Sequence, residues 1–133
     1  MGRAILTASA LILIVLGTIG LFGADELAHS LLGGAGAGEA VIQVAAGGLL
    51  GFAVVNWMSR GNRIGGIYMR PLALGNLLLF TVAGLSVGKA LRSGELPAVT
   101  IAPALAFCGL ALAFGWLAFG HDPLPRQGAS DGA

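Results

Sequence analysis

Residues 4–22 read AILTASALILIVLGTIGLF, nineteen positions without a charge. A helix rises 1.5 Å per residue and the hydrocarbon core of a bilayer is about 30 Å thick, so about 20 apolar residues in sequence cross it. Three further stretches meet the same requirement. Residues 40–57 read AVIQVAAGGLLGFAVVNW and extend to Ser59, residues 71–88 read PLALGNLLLFTVAGLSVG and continue to Leu91, and residues 98–119 read AVTIAPALAFCGLALAFGWLAF. The first block is longer than the 7–15-residue apolar core of a secretory signal, and no Ala-x-Ala site follows it, so it reads as an uncleaved span. The fold expected is all-α: an antiparallel bundle of four transmembrane helices, about 4–22, 40–59, 71–91 and 98–119, within a single domain of residues 1–120.

Composition points the same way. Charged residues make up 10% of the chain and hydrophobic residues 56%, with a mean hydropathy of +0.90. A soluble domain carries about 25% charged residues, so this chain lacks the material for a water-facing surface. A net charge of +1 is too small to imply nucleic-acid binding, no basic patch supports one, and no nucleic-acid partner is expected. The 23 glycines fit helices whose backbones approach closely, since glycine is common in membrane helices. Cys108 is the only cysteine; no internal disulfide can form, and in AFCGL it reads as a small buried hydrophobe.

Lys and Arg set the direction. With the N-terminus inside, the inner side carries Arg3, Arg60, Arg63, Arg70 and Arg126, against Lys89 and Arg92 outside. Cytoplasmic segments carry the excess of basic residues, so both termini are expected in the cytoplasm, in a bacterial inner membrane. In the first connector, residues 24–32 (ADELAHSLL) are expected to form a short interfacial helix, with Leu27, Leu31 and Leu32 at helical spacing. The connector 60–70 contains turn signals. The third, 92–97, is short enough to make the last two helices a hairpin. The tail 121–133 is polar and rich in Pro and Gly, and is expected to be an unstructured cytoplasmic segment. Pro71 suits the first turn of its helix. At Pro103 the helix either begins nearby or bends, and the bend is the favoured expectation.

Polar residues inside the spans are Thr7, Ser9, Thr18, Gln43, Asn56, Asn76, Thr81 and Ser86, with Thr100 nearer an edge. None is ionisable, whereas proton-coupled transporters place titratable groups within the membrane. Gln43, Asn56 and Asn76 are the candidate polar residues of the bundle. Asn76, five residues past Pro71, is expected to point inward and bond to Asn56, a backbone carbonyl or a buried water. Glu39, Gln43, Gly47 and Gly51 recur every four residues on one helix face. They are expected to form a packing seam with Gln43 bonded across it, the alternative being a polar groove. Gly84 and Gly88 form a second small-residue pair, and Ala111 with Gly115 a third. Arg60, Arg63 and Arg70 serve anchoring beside Trp57 and Tyr68, or alternatively contact an anionic headgroup or a quinone head. Asp25, Glu26 and His29 cluster if their segment is helical, but they fall short of the three or four ligands of a zinc site that normally include Cys or a second His. They read as a solvated polar turn, and His121 beside Asp122 is weaker still. No catalytic or metal site is expected.

The segments VVNWMSRG (54–61) and RPLALGNLLLF (70–80) resemble the four-span bacterial membrane proteins grouped around the DoxX-like families, with Asn56, Trp57, Arg60, Gly75 and Asn76 as the matched positions. The resemblance implies an inner-membrane protein of this length; some relatives are associated with quinone or thiol redox chemistry, and most have no assigned activity. The chain has no redox cysteine pair, lacks the central membrane glutamate of small multidrug transporters, and lacks the Arg- and Phe-rich patterns of fluoride channels. The function expected is therefore a structural, accessory or lipid-binding bundle rather than an enzyme. Its partners would be membrane lipids, another membrane protein or further copies of itself. No cofactor is called for, though a bound lipid or quinone is compatible. A narrow channel or carrier built by a homo-oligomer is the first alternative, and a quinone- or lipid-linked membrane enzyme the second.

Overall fold

The computed structural model describes residues 2–33, 36–61 and 69–120. Its long helices are α1 (Gly2–Phe22), α3 (Ala37–Ser59), α4 (Met69–Arg92) and α5 (Ile101–Phe119). Between the first two lies the short α2 (Ala24–Leu32), and a 3₁₀ turn (Ala98–Thr100) leads into α5. Of the described residues, four helices, counting Ala98–Phe119 as one, are long and apolar enough to cross a membrane. Among the described residues there is no strand. The spans read from the sequence lie within these helices, each helix reaching up to three residues further. The tail 121–133, with His121, Asp122 and Arg126, and the connector residues Arg63 and Tyr68 lie outside the described residues.

Two helical hairpins make the bundle: α1 packs along α3, and α4 along α5. In the first, glycine permits the approach. A Cβ placed at Gly17 would stand 2.7 Å from Leu50 Cγ, and one at Gly20 would stand 3.1 Å from Ala46 Cβ. The second hairpin closes where Gly84 meets α5, with Cys108 Sγ 3.0 Å from the Cβ position. Large side chains fill the space between the hairpins. Phe80 and Phe114 are fully buried and stacked at 5.6 Å, and Phe107 lies 6.0 Å from Phe80. Leu6 and Leu13 of α1 and Ala53 of α3 pack against them. Lipid tails are as apolar as leucine, so close packing and interhelical hydrogen bonds hold such a bundle, with little hydrophobic drive between helices.

The helix ends have local causes. Gly33 takes φ +71° and its N–H bonds to Ala28 O, closing α2. At the end of α4, Gly94 (φ +74°) donates to Leu91 O while Glu95 N–H donates to Ala90 O. This is the Schellman arrangement, in which a left-handed residue lets two amides satisfy the last carbonyls. The segment 24–32 is helical as expected, burying Ala24 and Ala28 against α1 and α3.

The expected bend at Pro103 is corrected. Pro103 is the third residue of α5, following the 3₁₀ turn. A missing N–H in the first turn removes no intrahelical bond, so the helix begins there instead of bending.

Candidate functional site

Depth brings three polar side chains together. α1 and α4 both start on the side of the bundle where α3 ends, and Ser9 and Asn76 each lie seven residues past their helix start. At 1.5 Å per residue both sit about 10 Å along the helix, near Asn56, three residues before the end of α3. All three are fully buried. Asn56 Nδ2 donates to Asn76 Oδ1 at 2.7 Å, and Asn76 Nδ2 donates back to Asn56 Oδ1 at 2.8 Å. The second Asn56 amide proton goes to Ser9 Oγ at 3.0 Å, the second Asn76 proton to Leu72 O at 2.9 Å, and Ser9 Oγ donates to Leu6 O at 3.0 Å. Every amide and hydroxyl proton of the cluster is thus used. No buried side-chain nitrogen or oxygen among the described residues lacks a partner.

Chemically this cluster is a tie. It contains no group that titrates near neutrality and no nucleophile beside a base, and its hydrogen bonds join α1, α3 and α4 across both hairpins. The sequence pointed to Asn56 and Asn76 but not to Ser9. Counting residues from the shared end of α1 and α4 would have placed Ser9 at the depth of Asn76.

The face expected to be a packing seam on α3 is different. A Cβ at Gly47, Gly48 or Gly51 would meet nothing within 4 Å. Gln43 is exposed and does not bond across to another helix; it donates to Glu39 Oε1 within its own helix at 3.1 Å. Only Ala46, Ala53 and Asn56 of the 23 residues of α3 are buried. Gly88 is open as well, whereas Gly84 is packed and Gly115 touches Leu77 at 3.6 Å. Within the chain, then, Gly17, Gly20 and Gly84 pack between the long helices, the Gln43–Gly51 seam on α3 is corrected, and of the Gly84–Gly88 pair only Gly84 is packed.

Cys108 is also corrected: it is exposed, not buried. It lines an apolar groove of about 640 Å³ between α4 and α5, with Leu77, Thr81, Leu112, Trp116 and Phe119. On the basic surface, the Arg60 guanidinium lies 3.4 Å over the Trp57 ring and donates to Trp57 O at 3.3 Å, a cation–π contact that suits anchoring at a membrane boundary. Arg70 is exposed at the start of α4. His29 pairs with Asp25 at 3.4 Å with both side chains largely exposed. No group of three or more metal-ligating side chains occurs among the described residues. No protein-family model, curated protein or solved structure matches this chain.

Proposed function

We propose that this chain is a non-enzymatic membrane bundle that works by helix–helix contact with other chains in the bilayer. The observation that carries this reading is the uncovered glycine face of α3. The glycines at Gly17, Gly20 and Gly84 are used for close packing within the chain, while Gly47, Gly48 and Gly51 present bare backbone over about one turn of a spanning helix. Small residues are enriched where membrane helices approach one another. Extraction from the native membrane into polymer-bounded lipid discs, followed by native mass spectrometry, tests it. The expected result is particles holding more than one chain, either copies of this one or one stable partner. Particles holding a single copy and lipid alone would count against it.

The location proposed is a bacterial inner membrane, with both termini and the 60–70 connector in the cytoplasm. It rests on five basic residues on that side against two on the other and on the DoxX-like character of residues 54–61 and 70–80. A second reading, binding of a lipid or quinone chain, is favoured by the apolar groove between α4 and α5. It would be seen as a lipid or quinone of defined mass retained on the chain after delipidation.

A further inference from the structure

We propose that the partner covering α3 is a second copy of this chain, which seats the exposed ridge of its α4 in the glycine groove of α3. This names the partner within the association reading above and rests on it.

The groove begins at Glu39, on the side of the bundle where α2 lies, and runs along α3 through Gln43, Gly47 and Gly51. The ridge ends on that same side. Leu78, Val82 and Leu85 stand 67%, 55% and 69% exposed on α4, followed by Lys89 and Arg92 at its last turn. Because α3 runs away from that side and α4 runs toward it, two copies in the same membrane orientation bring these faces together antiparallel.

Their depths agree. Counting from Glu39, Gln43 lies four residues on, Gly47 eight and Gly51 twelve; counting back from Lys89, Leu85 lies four, Val82 seven and Leu78 eleven. Placing Lys89 level with Glu39 therefore sets Val82 at Gly47 and Leu78 at Gly51 to within about 1.5 Å. Bulky aliphatic side chains meet the positions where a Cβ would find open space. Ser86, exposed beside this ridge, comes to the depth of Gln43, whose carboxamide has spent only one proton on Glu39.

Charge supports the same register. Among the described residues Glu39, Lys89 and Arg92 take part in no ion pair within the chain. The docked arrangement sets the carboxylate at one end of the groove against the cation at the end of the ridge. A two-fold α3–α3 contact would instead put Glu39 against Glu39 and one hollow against another, and like charges facing each other across an interface are costly. The contact is heterologous, since groove and ridge are different surfaces, so copies add head to tail and form a ring where the rotation closes.

Resonance energy transfer between donor- and acceptor-labelled full-length chains in phosphatidylcholine vesicles tests this, using Glu39→Lys, Lys89→Glu and Gly47→Leu. Each charge reversal alone should weaken association about tenfold. A mixture of the two reversed populations should restore it, because every groove then meets a ridge of opposite charge. Gly47→Leu fills the groove and should abolish transfer, and open space at its Cβ leaves the single-chain fold intact. Transfer that ignores either reversal, that survives Gly47→Leu, or that is not restored by mixing overturns the docking while leaving self-association standing. Absence of transfer between unmodified chains at every protein-to-lipid ratio overturns the second copy as partner.

Discussion

Replacing Asn56 and Asn76 singly and together by leucine measures the tie between the hairpins. Leucine approximates the shape of asparagine, so packing changes little and the hydrogen bonds dominate the outcome. Asn76→Leu removes the reciprocal pair with Asn56 at 2.7 and 2.8 Å. It leaves Asn56 Oδ1 without a donor in a fully buried site; the bond from Asn56 to Ser9 remains. Interhelical polar contacts in membranes are worth about 0.6 kcal/mol on average and up to about 1.7. An orphaned buried polar group costs about 1–3 kcal/mol. Each single substitution should therefore destabilise by about 2 kcal/mol. The double substitution should cost little more than either single one, because no unpaired amide is left behind. The resulting coupling, about 1–3 kcal/mol, can be read by steric trapping in bicelles, which unfolds the chain within its membrane mimic. Additivity of the two single effects to within about 0.5 kcal/mol would show that the amides do not act as a pair, and the assignment of the cluster as an inter-hairpin tie would fall.

Other substitutions separate the two kinds of glycine and test the helix start. Gly17→Leu must displace Leu50, 2.7 Å from the new Cβ, and should cost about 1–3 kcal/mol in the same unfolding assay. Gly51→Ala, placed in open space, should leave single-chain stability unchanged within about 0.5 kcal/mol or raise it through helix propensity. Pro103→Ala should change stability by less than about 0.5 kcal/mol, because no helical hydrogen bond is missing in the first turn; a gain above about 2 kcal/mol would mean that the proline interrupts the helix after all. Reporter fusions at Gly61 and Gly36 should give cytoplasmic and external signals respectively, and the reverse pattern would invert the proposed orientation.

The spans were legible because each is an apolar block bounded by charged or turn-forming residues, and α2 because its leucines recur at helical spacing. Asn56 and Asn76 were legible for a related reason: a polar amide at that depth must find a partner, and helices joined at one end supply each other. Which apolar face meets protein and which meets lipid was not legible, because both environments accept the same residues. Gly47 and Gly51 have the spacing of a packing pair and face outward. Gly17 and Gly20 carry the close contact between α1 and α3 at a spacing of three. With 23 glycines in 133 residues, spacing alone does not rank them. Cys108 was misplaced on the same ground, since an apolar neighbourhood in sequence is no guide to the side from which lipid comes.

The central claim is that this bundle functions through contacts with other chains in the bilayer. Counting photobleaching steps from the singly labelled full-length chain in vesicles, over falling protein-to-lipid ratios, tests it most directly for copies of this chain. Multi-step particles are expected to persist well below the density of random co-occupancy and to give way to single steps when Gly47 is replaced by leucine. Single-step bleaching at every ratio, identical for the unmodified chain and for Gly47→Leu, would contradict contact between copies of this chain.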